Sequence, residues 1–447
     1  MNPLLGWAYG AAGTFASLAA RVAPAGEGKL ARSLVARRGI LDRYRSWGRS
    51  GRDVSRPLLW MHAPSVGEGL QAREILERMR ARHPEVQLAY TFFSPSAAPF
   101  AARLDVDFAD YLPFDTLAAA RATLDALRPS ALVYAKLDVW PTLTREARQR
   151  GVPLGMVSAT VAPGSSRTGT LARALLHDAY RALDRVGAVA SDDGARLEAL
   201  GVRGDALEIT GDTRYDQVAR RARSVDRASP LLTPLSASPR EAPRDEQRAA
   251  SPSSLRPTLV AGSTWPADES VLLPGWERVR ARVAGARLII APHEPTEGHL
   301  APIEAWGRRT HIAVVRLGAA GQETAEVVLV DRVGVLGELY ALADAAFVGG
   351  GFHDAGLHSV LEPAAFGAPV AFGPRFANAR DAVLLAECGG GAPVSNVDDA
   401  EQLFVRWLGT SAERREAGRR ARALVDSGVG AADRSLAMVE RLLSAAR

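Results

Sequence analysis

Short apolar runs alternate with segments of helical periodicity along most of the chain after residue 57. In the first half, the apolar runs occupy residues 58–63, 86–93, 130–135, 153–159 and 186–191. Segments between them, such as residues 68–82 and 141–150, carry Arg and Glu on one face and Ala, Leu, Ile or Met on the other. The runs predict buried strands, and the segments predict amphipathic helices. Strict alternation of the two predicts a parallel sheet with helices on both faces.

The alternation stops at residues 224–257, where 13 of the 34 residues are Ser or Pro and no apolar face recurs. We expect a linker or a disordered surface insertion here. The alternation then resumes, with apolar runs at residues 257–263, 287–292, 312–317, 326–331, 345–350 and 369–373. The sequence therefore predicts an α/β protein with two Rossmann-like domains, residues 57–223 and 258–447, that face each other across a cleft. The last helices of the second domain are free to pack back on the first. Loops that follow parallel strands line such a cleft, which most often holds a nucleotide-bearing ligand.

The N-terminal residues 2–20 carry no charged side chain. A helix of these 19 residues is just long enough to span a bilayer core, although its many Gly and Ala residues make it only moderately hydrophobic. A cleavable signal peptide would need basic residues ahead of the apolar run, and none is present. We therefore predict a membrane anchor or an interfacial helix at residues 1–22, with a soluble helix packed on the first domain as the alternative.

Composition excludes several classes of protein. The 447 residues are 47% apolar, which is enough for two or three domains with cores and excludes global disorder. The single cysteine, Cys388, cannot form an internal disulfide, which favours a reducing compartment. The formal charge is +5, but residues 21–56 alone carry +7, so the remaining chain sums to −2. A nearly neutral body without an RNA-binding or DNA-binding motif argues against nucleic acid as a partner.

The excess positive charge therefore forms a local basic collar, residues 23–56, directly after the uncharged run. Basic residues that flank a membrane segment tend to stay on the cytoplasmic side, which places the following domains in the cytoplasm. We expect the collar to contact anionic head groups of the inner membrane.

A glycine-rich loop joins a predicted strand to a predicted helix at residues 349–363. Gly350 and Gly351 permit close backbone approach and aim amide N–H groups at an anion. His358, Ser359 and Glu362 follow at the start of the helix. In a nucleotide site, the His and Ser side chains can donate to a phosphate, and the Glu side chain can accept from ribose hydroxyls. A Glu that only favours the helix dipole and a purely structural His remain as alternatives.

Two further strand ends carry candidate catalytic residues. Glu68 lies at the opening of a predicted helix, where it either caps the helix or takes a proton from an attacking hydroxyl. Lys136 follows another buried strand and is one of two lysines in a chain with 53 arginines. Its compact ammonium can pair with Asp138, or can hold a carboxylate or a phosphate of a substrate.

Seven blocks of sequence occur in a characteristic order and spacing. They are HAPSVGEG from residue 62, YLPFD from 111, KLDVWP from 136, GDTRYDQV from 211, AGSTWPADE from 261, APHEP from 291 and GGGFHDAGLHSVLEPAAFGAPVAFGP from 349. In these blocks the chain resembles the bacterial 3-deoxy-D-manno-octulosonic acid (Kdo) transferases. The resemblance implies the GT-B glycosyltransferase fold and inverting transfer of Kdo from CMP-Kdo to lipid IV A, without a metal or another cofactor. It also implies a location at the cytoplasmic face of the inner membrane.

The resemblance assigns roles to individual residues. Glu68 matches the general base, with Lys136 and Asp138 at neighbouring catalytic positions. Ser65 and Gly67 fall on the acceptor side. Arg37 and Arg38 of the collar are expected to contact the phosphates of the lipid acceptor. The expected donor contacts are His293, Gly337, Glu338, Gly350, Gly351, His358, Ser359 and Glu362.

Two positions depart from the pattern of the family. Lys136 stands where many members have an acidic residue, and Ser359 replaces the usual Asn. Two other functions are also compatible with the sequence. One is a GT-B enzyme of envelope biosynthesis that uses a UDP-sugar, and the other is a membrane-tethered protein that only binds a sugar nucleotide.

Overall fold

Two units, each built around a parallel β-sheet, make up the described part of the chain. The structure is a computed structural model that describes residues 3–22, 26, 28–236, 256–354 and 356–445. The first unit comprises Met1–Gln217 and Gly428–Arg447, and the second comprises Val218–Ser427. Most of the predicted linker, residues 237–255, lies outside the described residues.

The described strands divide equally between the two units. The strands of the first unit are β1 (Leu58–His62), β2 (Gln87–Phe92), β3 (Phe108–Tyr111), β4 (Ala131–Ala135), β5 (Leu154–Ala159), β6 (Arg185–Ala188) and β7 (Leu207–Ile209). Those of the second are β8 (Thr258–Thr264), β9 (Arg287–Pro292), β10 (Val314–Arg316), β11 (Val327–Leu329), β12 (Ala345–Val348), β13 (Val370–Phe372) and β14 (Gly391–Pro393). The strand orders are β3-β2-β1-β4-β5-β6-β7 and β10-β11-β9-β8-β12-β13-β14. Neighbouring strands run parallel throughout both described sheets, as predicted.

Helices connect the strands and cover both sheets. Up to the predicted linker they are α1 (Pro3–Val22), α2 (Lys29–Val35), α3 (Ile40–Ser50), α4 (Val66–Arg82), α5 (Ala98–Ala101), α6 (Leu117–Leu127), α7 (Pro141–Gln149), α8 (Thr170–Arg181), α9 (Ser191–Leu200) and α10 (Arg214–Ser224). Beyond it they are α11 (Thr233–Ser236), α12 (Pro266–Arg282), α13 (Glu297–Thr310), α14 (Leu336–Leu339), α15 (Leu361–Ala365), α16 (Arg380–Cys388), α17 (Val397–Gly409), α18 (Ser411–Gly428) and α19 (Ala431–Ser444).

Strands of the first sheet are apolar on both faces because helices cover both faces. Along β1, Leu58 and Trp60 belong to one core cluster, while Leu59 and Met61 belong to the cluster on the other side. All four side chains are fully buried. This burial on two sides explains why the predicted strands are continuous apolar runs and not alternating patterns. The second sheet is covered on both faces in the same way.

The C-terminal helix α19 packs on the first unit. Four of its apolar residues join the core cluster that contains Met61, namely Leu436, Met438, Val439 and Leu442. Two polar contacts tie the same helix to α4: Arg82 donates to Asp433 at 2.6 Å, and His83 lies 2.8 Å from Glu440. The chain therefore returns to its first unit after the second unit ends, which is the arrangement that the sequence left open.

The predicted basic collar forms α2 and α3, and α3 is part of the core of the first unit. Tyr44 is fully buried, packs edge-on against Phe108 at 4.8 Å, and donates a hydrogen bond to the carbonyl of Tyr111. Trp47 packs against the same ring at 5.0 Å. Arg43 forms two hydrogen bonds with Asp110, at 2.7 and 3.0 Å. The collar is thus an amphipathic segment whose apolar face is needed by the fold.

The N-terminal helix α1 contacts the first unit along one face only. Tyr9 donates to Asp115 at 3.0 Å, whereas Trp7, Phe15 and Val22 on the other face are 75–81% exposed. Gly and Ala occupy nine of the 20 positions of α1. Among the residues that the structure describes, no helix combines the length and the apolar composition needed to cross a bilayer.

Candidate functional site

The strand order of each sheet reverses at one point, and the candidate residues follow the strands that flank it. In the first unit the reversal lies between β1 and β4, whose C-terminal ends lead to Glu68 and Lys136. In the second unit it lies between β8 and β12, which lead to Trp265 and to the glycines from Gly349. In open α/β sheets, ligands bind outside the carboxyl ends of the strands at such a reversal. The topology therefore brings predicted site residues together within each unit.

Glu68 lies in the first turn of α4 with both carboxylate oxygens in contact with a neighbour. The hydroxyl of Ser65, the residue before the helix, donates to Oε2. The ammonium of Lys136 lies 3.5 Å from Oε1. The side chain of Glu68 is 18% exposed and that of Lys136 is 45% exposed, so the pair borders solvent. A Cβ added at Gly67 would meet only the Ser65 hydroxyl, at 3.9 Å, so the space around Gly67 is open.

The backbone of Lys136 is in the left-handed region, with φ of 63°. For a residue other than glycine this conformation costs about 1–3 kcal/mol, and it persists where the surrounding structure holds it. Here the amide of Lys136 donates to the carbonyl of Val157 in β5 at 2.8 Å. Strained backbone of this kind is concentrated at functional sites.

Asp138 belongs to a separate polar network on the same unit. It accepts from Arg167 at 3.1 Å and from the indole of Trp140 at 3.1 Å, and lies 3.4 Å from His62. Burial raises the pKa of Asp138, but His62 and the guanidinium of Arg167 outweigh burial and lower this pKa below its ordinary value. Lys136 is not among these partners. The predicted pairing of Lys136 with Asp138 is therefore wrong, and Lys136 pairs with Glu68 instead.

Arg37 was predicted to contact the acceptor, but the structure buries it. Its side chain is 3% exposed, and four of its five N–H groups donate to Leu112, Phe93 and Ser33 at 2.8–3.0 Å. Its guanidinium also lies over the ring of Phe93, 4.0 Å from the centroid. Burial lowers its pKa to about 10. Arg37 therefore holds two loops together, and no set of free donors remains for a phosphate. Arg38, by contrast, is exposed.

Glycines of the second unit are required by close backbone packing. Gly350 has φ of 96°, and a Cβ at this position would clash with the carbonyl of Gly356. A Cβ at Gly351 would lie 2.6 Å from the backbone of Gly373. The amide of Gly350 donates to the buried carboxylate of Asp268 at 2.8 Å. This N–H group is therefore not free to bind an anion, contrary to the prediction for Gly350.

Three aromatic rings form a stack beside this loop. Trp265 stacks on His293 at 4.7 Å, and His293 stacks on His358 at 4.4 Å. The indole N–H of Trp265 donates to Nε2 of His358 at 3.3 Å. Burial, together with His293 and His353, lowers the pKa of His358 to about 4, so this ring is neutral near pH 7. With Nε2 accepting, Nδ1 carries the proton and is a donor.

Trp265 and Asp268 were not among the predicted donor contacts. Both lie in the block AGSTWPADE, so the signal was present in the sequence. What the sequence does not reveal is that Asp268 reaches the loop after β12 and that Trp265 stacks on His293. These contacts join segments that are 28 or more residues apart in the chain.

The remaining donor candidates lie around α14 and α15. The guanidinium of Arg221 lies directly over Gly337, where any Cβ would clash with it. Burial raises the pKa of Glu362, and the charge of Arg221 opposes this shift. Glu338 is half-buried, and Ser359 is exposed. In the described part of the chain, no group of three or more His, Cys, Asp or Glu side chains is placed to hold a metal ion.

Comparison with known proteins shows which family the chain resembles. A family model described as 3-deoxy-D-manno-octulosonic-acid transferase (kdotransferase) matches residues 34–217. The Bordetella pertussis 3-deoxy-D-manno-octulosonic acid transferase is 29% identical over 411 residues, 88% of this chain and 90% of that protein. The Haemophilus influenzae enzyme of the same name is 24% identical over 386 residues, 85% of each chain. Over most of its length, this chain is similar to the Kdo transferases.

Two solved structures support the predicted fold of this chain. A putative UDP-N-acetylglucosamine 2-epimerase from Listeria monocytogenes superposes with a TM-score of 0.62 at 11% identity, over 87% of this chain and 97% of that one. The Neisseria meningitidis UDP-GlcNAc 2-epimerase, solved with UDP-GlcNAc, gives a TM-score of 0.62 at 11% identity over 86% and 100%. These likenesses concern the fold alone, and they confirm the predicted GT-B class.

Proposed function

We propose that this chain transfers Kdo from CMP-Kdo to lipid IV A, with inversion, and that Glu68 is the general base. Similarity to the Kdo transferases supports the sugar, and the order of the seven sequence blocks supports CMP-Kdo as its donor. One observation supports the base: Glu68 lies at the strand-order reversal of its sheet, and its carboxylate is held by Ser65 and Lys136 while remaining partly exposed. A general base must border solvent to reach a substrate, and Glu68 does.

The proposed reaction has one attacking and one leaving group. An acceptor hydroxyl oxygen attacks the anomeric carbon of Kdo, and its proton passes to the carboxylate of Glu68. The bond from that carbon to the phosphate oxygen of CMP breaks, and CMP leaves with the electron pair. On the second unit, the neutral ring of His358 offers an N–H donor for the phosphate, and Glu362 offers acceptors for ribose hydroxyls.

We propose further that α1 lies in the surface of the inner membrane on its cytoplasmic face. Trp7, Phe15, Leu18 and Val22 fall within one 80° arc of the helix and are 52–81% exposed. Tyr9 is on the opposite face and binds the first unit. A helix with one unpartnered apolar face followed by exposed arginines is suited to an anionic membrane surface, where the lipid acceptor is found.

Mass spectrometry of lipid IV A after incubation with CMP-Kdo tests the transfer. Wild-type protein should add the mass of Kdo and release CMP. Glu68→Gln should abolish transfer while CMP-Kdo still binds, because only the proton acceptor is lost. Glu77→Gln, on the exposed face of the same helix, is the matched control and should remain active.

The same assay separates the other functions. Turnover of a UDP-sugar but not of CMP-Kdo would make the chain a different GT-B enzyme. Binding of donor and acceptor without release of CMP would make it a binding protein. Full activity of Glu68→Gln would remove Glu68 from its role.

A further inference from the structure

We propose that Lys136 is a positioning residue for Glu68: its ammonium and the Ser65 hydroxyl together hold the carboxylate in one orientation. This inference rests on the proposed role of Glu68 as the base. Lys136 itself would not touch the reacting atoms. It acts by limiting the rotation of the side chain that does.

The geometry assigns one partner to each carboxylate oxygen. Ser65 donates to Oε2, and the ammonium of Lys136 lies 3.5 Å from Oε1. An ionised carboxylate has about four sites that accept hydrogen bonds, so two partners leave room for a substrate hydroxyl. The two partners come from different loops, after β1 and after β4, which are neighbours in the sheet. A carboxylate fixed from two sides is oriented before the substrate arrives, which is how positioning increases rate.

The backbone at Lys136 supports a specific role for this side chain. Its φ of 63° is a conformation in which glycine would be free of strain. The amide is fixed by the carbonyl of Val157 in the adjacent strand β5, so the left-handed turn belongs to the strand end. A lysine at such a position carries a conformational cost that glycine would avoid. A change to glycine therefore removes the ammonium without adding backbone strain.

Neither of two simpler roles accounts for a lysine ammonium at this position. Pairing with Asp138 is ruled out by its partners, because Arg167, Trp140 and His62 surround that carboxylate. A contribution to folding is small, because an ion pair whose lysine is 45% exposed, with 3.5 Å between the charged atoms, adds little stability. Orientation of Glu68 is the role that the observed contact supports, and the kinetic tests below distinguish it from a substrate contact.

Two substitutions separate positioning from structure. Lys136→Gly removes the ammonium and relieves the backbone strain, so this variant should be at least as stable as wild type. Lys136→Met removes the charge, keeps the aliphatic stem and keeps the strain. In both variants kcat should fall about 10- to 100-fold while KM for CMP-Kdo stays unchanged. Lys136→Arg should recover part of kcat. Arg73→Met removes a cation from α4 that pairs with Glu77, and as the control it should leave kcat unchanged.

A double variant tests whether Lys136 acts through Glu68. In a Glu68→Asp background, where the shorter carboxylate can still take a proton but is displaced from its two partners, Lys136→Gly should lower kcat by a smaller factor than in wild type. Full kcat in Lys136→Gly overturns the proposal. A raised KM for CMP-Kdo with unchanged kcat also overturns it and makes Lys136 a substrate contact. Equal losses of stability and activity in both variants would assign Lys136 a structural role instead.

Failure of the proposed function gives a different result. If Glu68→Gln alone retains turnover, the base is misassigned whatever the Lys136 variants do. If Glu68→Gln is inactive and Lys136→Gly is fully active, only the positioning role fails.

Discussion

Replacing Arg37 with methionine tests whether this arginine holds the fold together or binds substrate. The change keeps an aliphatic stem of similar length but removes the guanidinium. The carbonyls of Leu112 and Phe93 then lose their donors, at a cost of about 1–3 kcal/mol for each buried acceptor left unpaired. Loss of the contact with the Phe93 ring, at 4.0 Å, adds about 0.5–2 kcal/mol. The expected loss of unfolding free energy is therefore about 2.5–8 kcal/mol, a large part of the stability of a typical domain.

Urea unfolding and acceptor kinetics together provide the assay. Arg38→Met is the matched control, because Arg38 is the next residue and is exposed, and its stability should change by less than about 0.5 kcal/mol. The Arg37 variant should unfold at a clearly lower urea concentration. At temperatures where it remains folded, its KM for the acceptor should equal that of wild type. If the Arg37 variant has wild-type stability and a raised KM for the acceptor, the reasoning is refuted and Arg37 is an acceptor contact.

Three further predictions concern a pH-sensitive contact, a neutral histidine and a strained loop. Hydrogen bonding to Glu440 raises the pKa of His83 above 6.5, so its stabilising effect is complete below pH 6.5 and is lost as pH rises through the folded-state pKa. His83→Gln should therefore lower the urea midpoint in acid and leave it unchanged in alkali. The ring of His358 should titrate near pH 4 in an NMR titration, and a midpoint near its ordinary value of 6.5 would contradict the burial argument. Gly350→Ala and Gly356→Ala both strain a left-handed backbone, at about 1–3 kcal/mol. Only the change at Gly350 also creates a clash, so thermal unfolding should show a larger loss for that variant, and equal losses would contradict the packing argument.

Central strands could be predicted from the sequence, whereas most edge strands could not. β1, β4 and β8 are covered on both faces, and their apolar runs make them visible. β3, β7 and β14 lie at sheet edges, are three or four residues long and are partly exposed. They carry no continuous apolar run because they have less surface to bury.

The candidate site, too, could be predicted from the sequence only in part. Glu68 and Lys136 could be singled out from the sequence because each follows a buried strand. Their contact depends on the order of strands in the sheet, which brings the ends of β1 and β4 together although 68 residues separate the two side chains in the chain. The sequence left three possible roles for the lysine, and none of them was a contact with Glu68.

Periodicity and motif order were sufficient for two parallel sheets, the GT-B class and the loops that carry the site. The sheets and the loops follow from local patterns, because burial on two faces and strand-to-helix turns leave a signal within a few residues. The GT-B class follows from the resemblance carried by the motif order. Whether a charged side chain is buried or exposed depends on the tertiary structure. Arg37 and Arg38 are adjacent and chemically identical, yet one is enclosed by three aromatic rings and the other is exposed, with one long hydrogen bond to the carbonyl of Ala20. Residues 93, 111, 112 and 114 create that difference, and they come close to Arg37 only when α2 and α3 pack on the first unit.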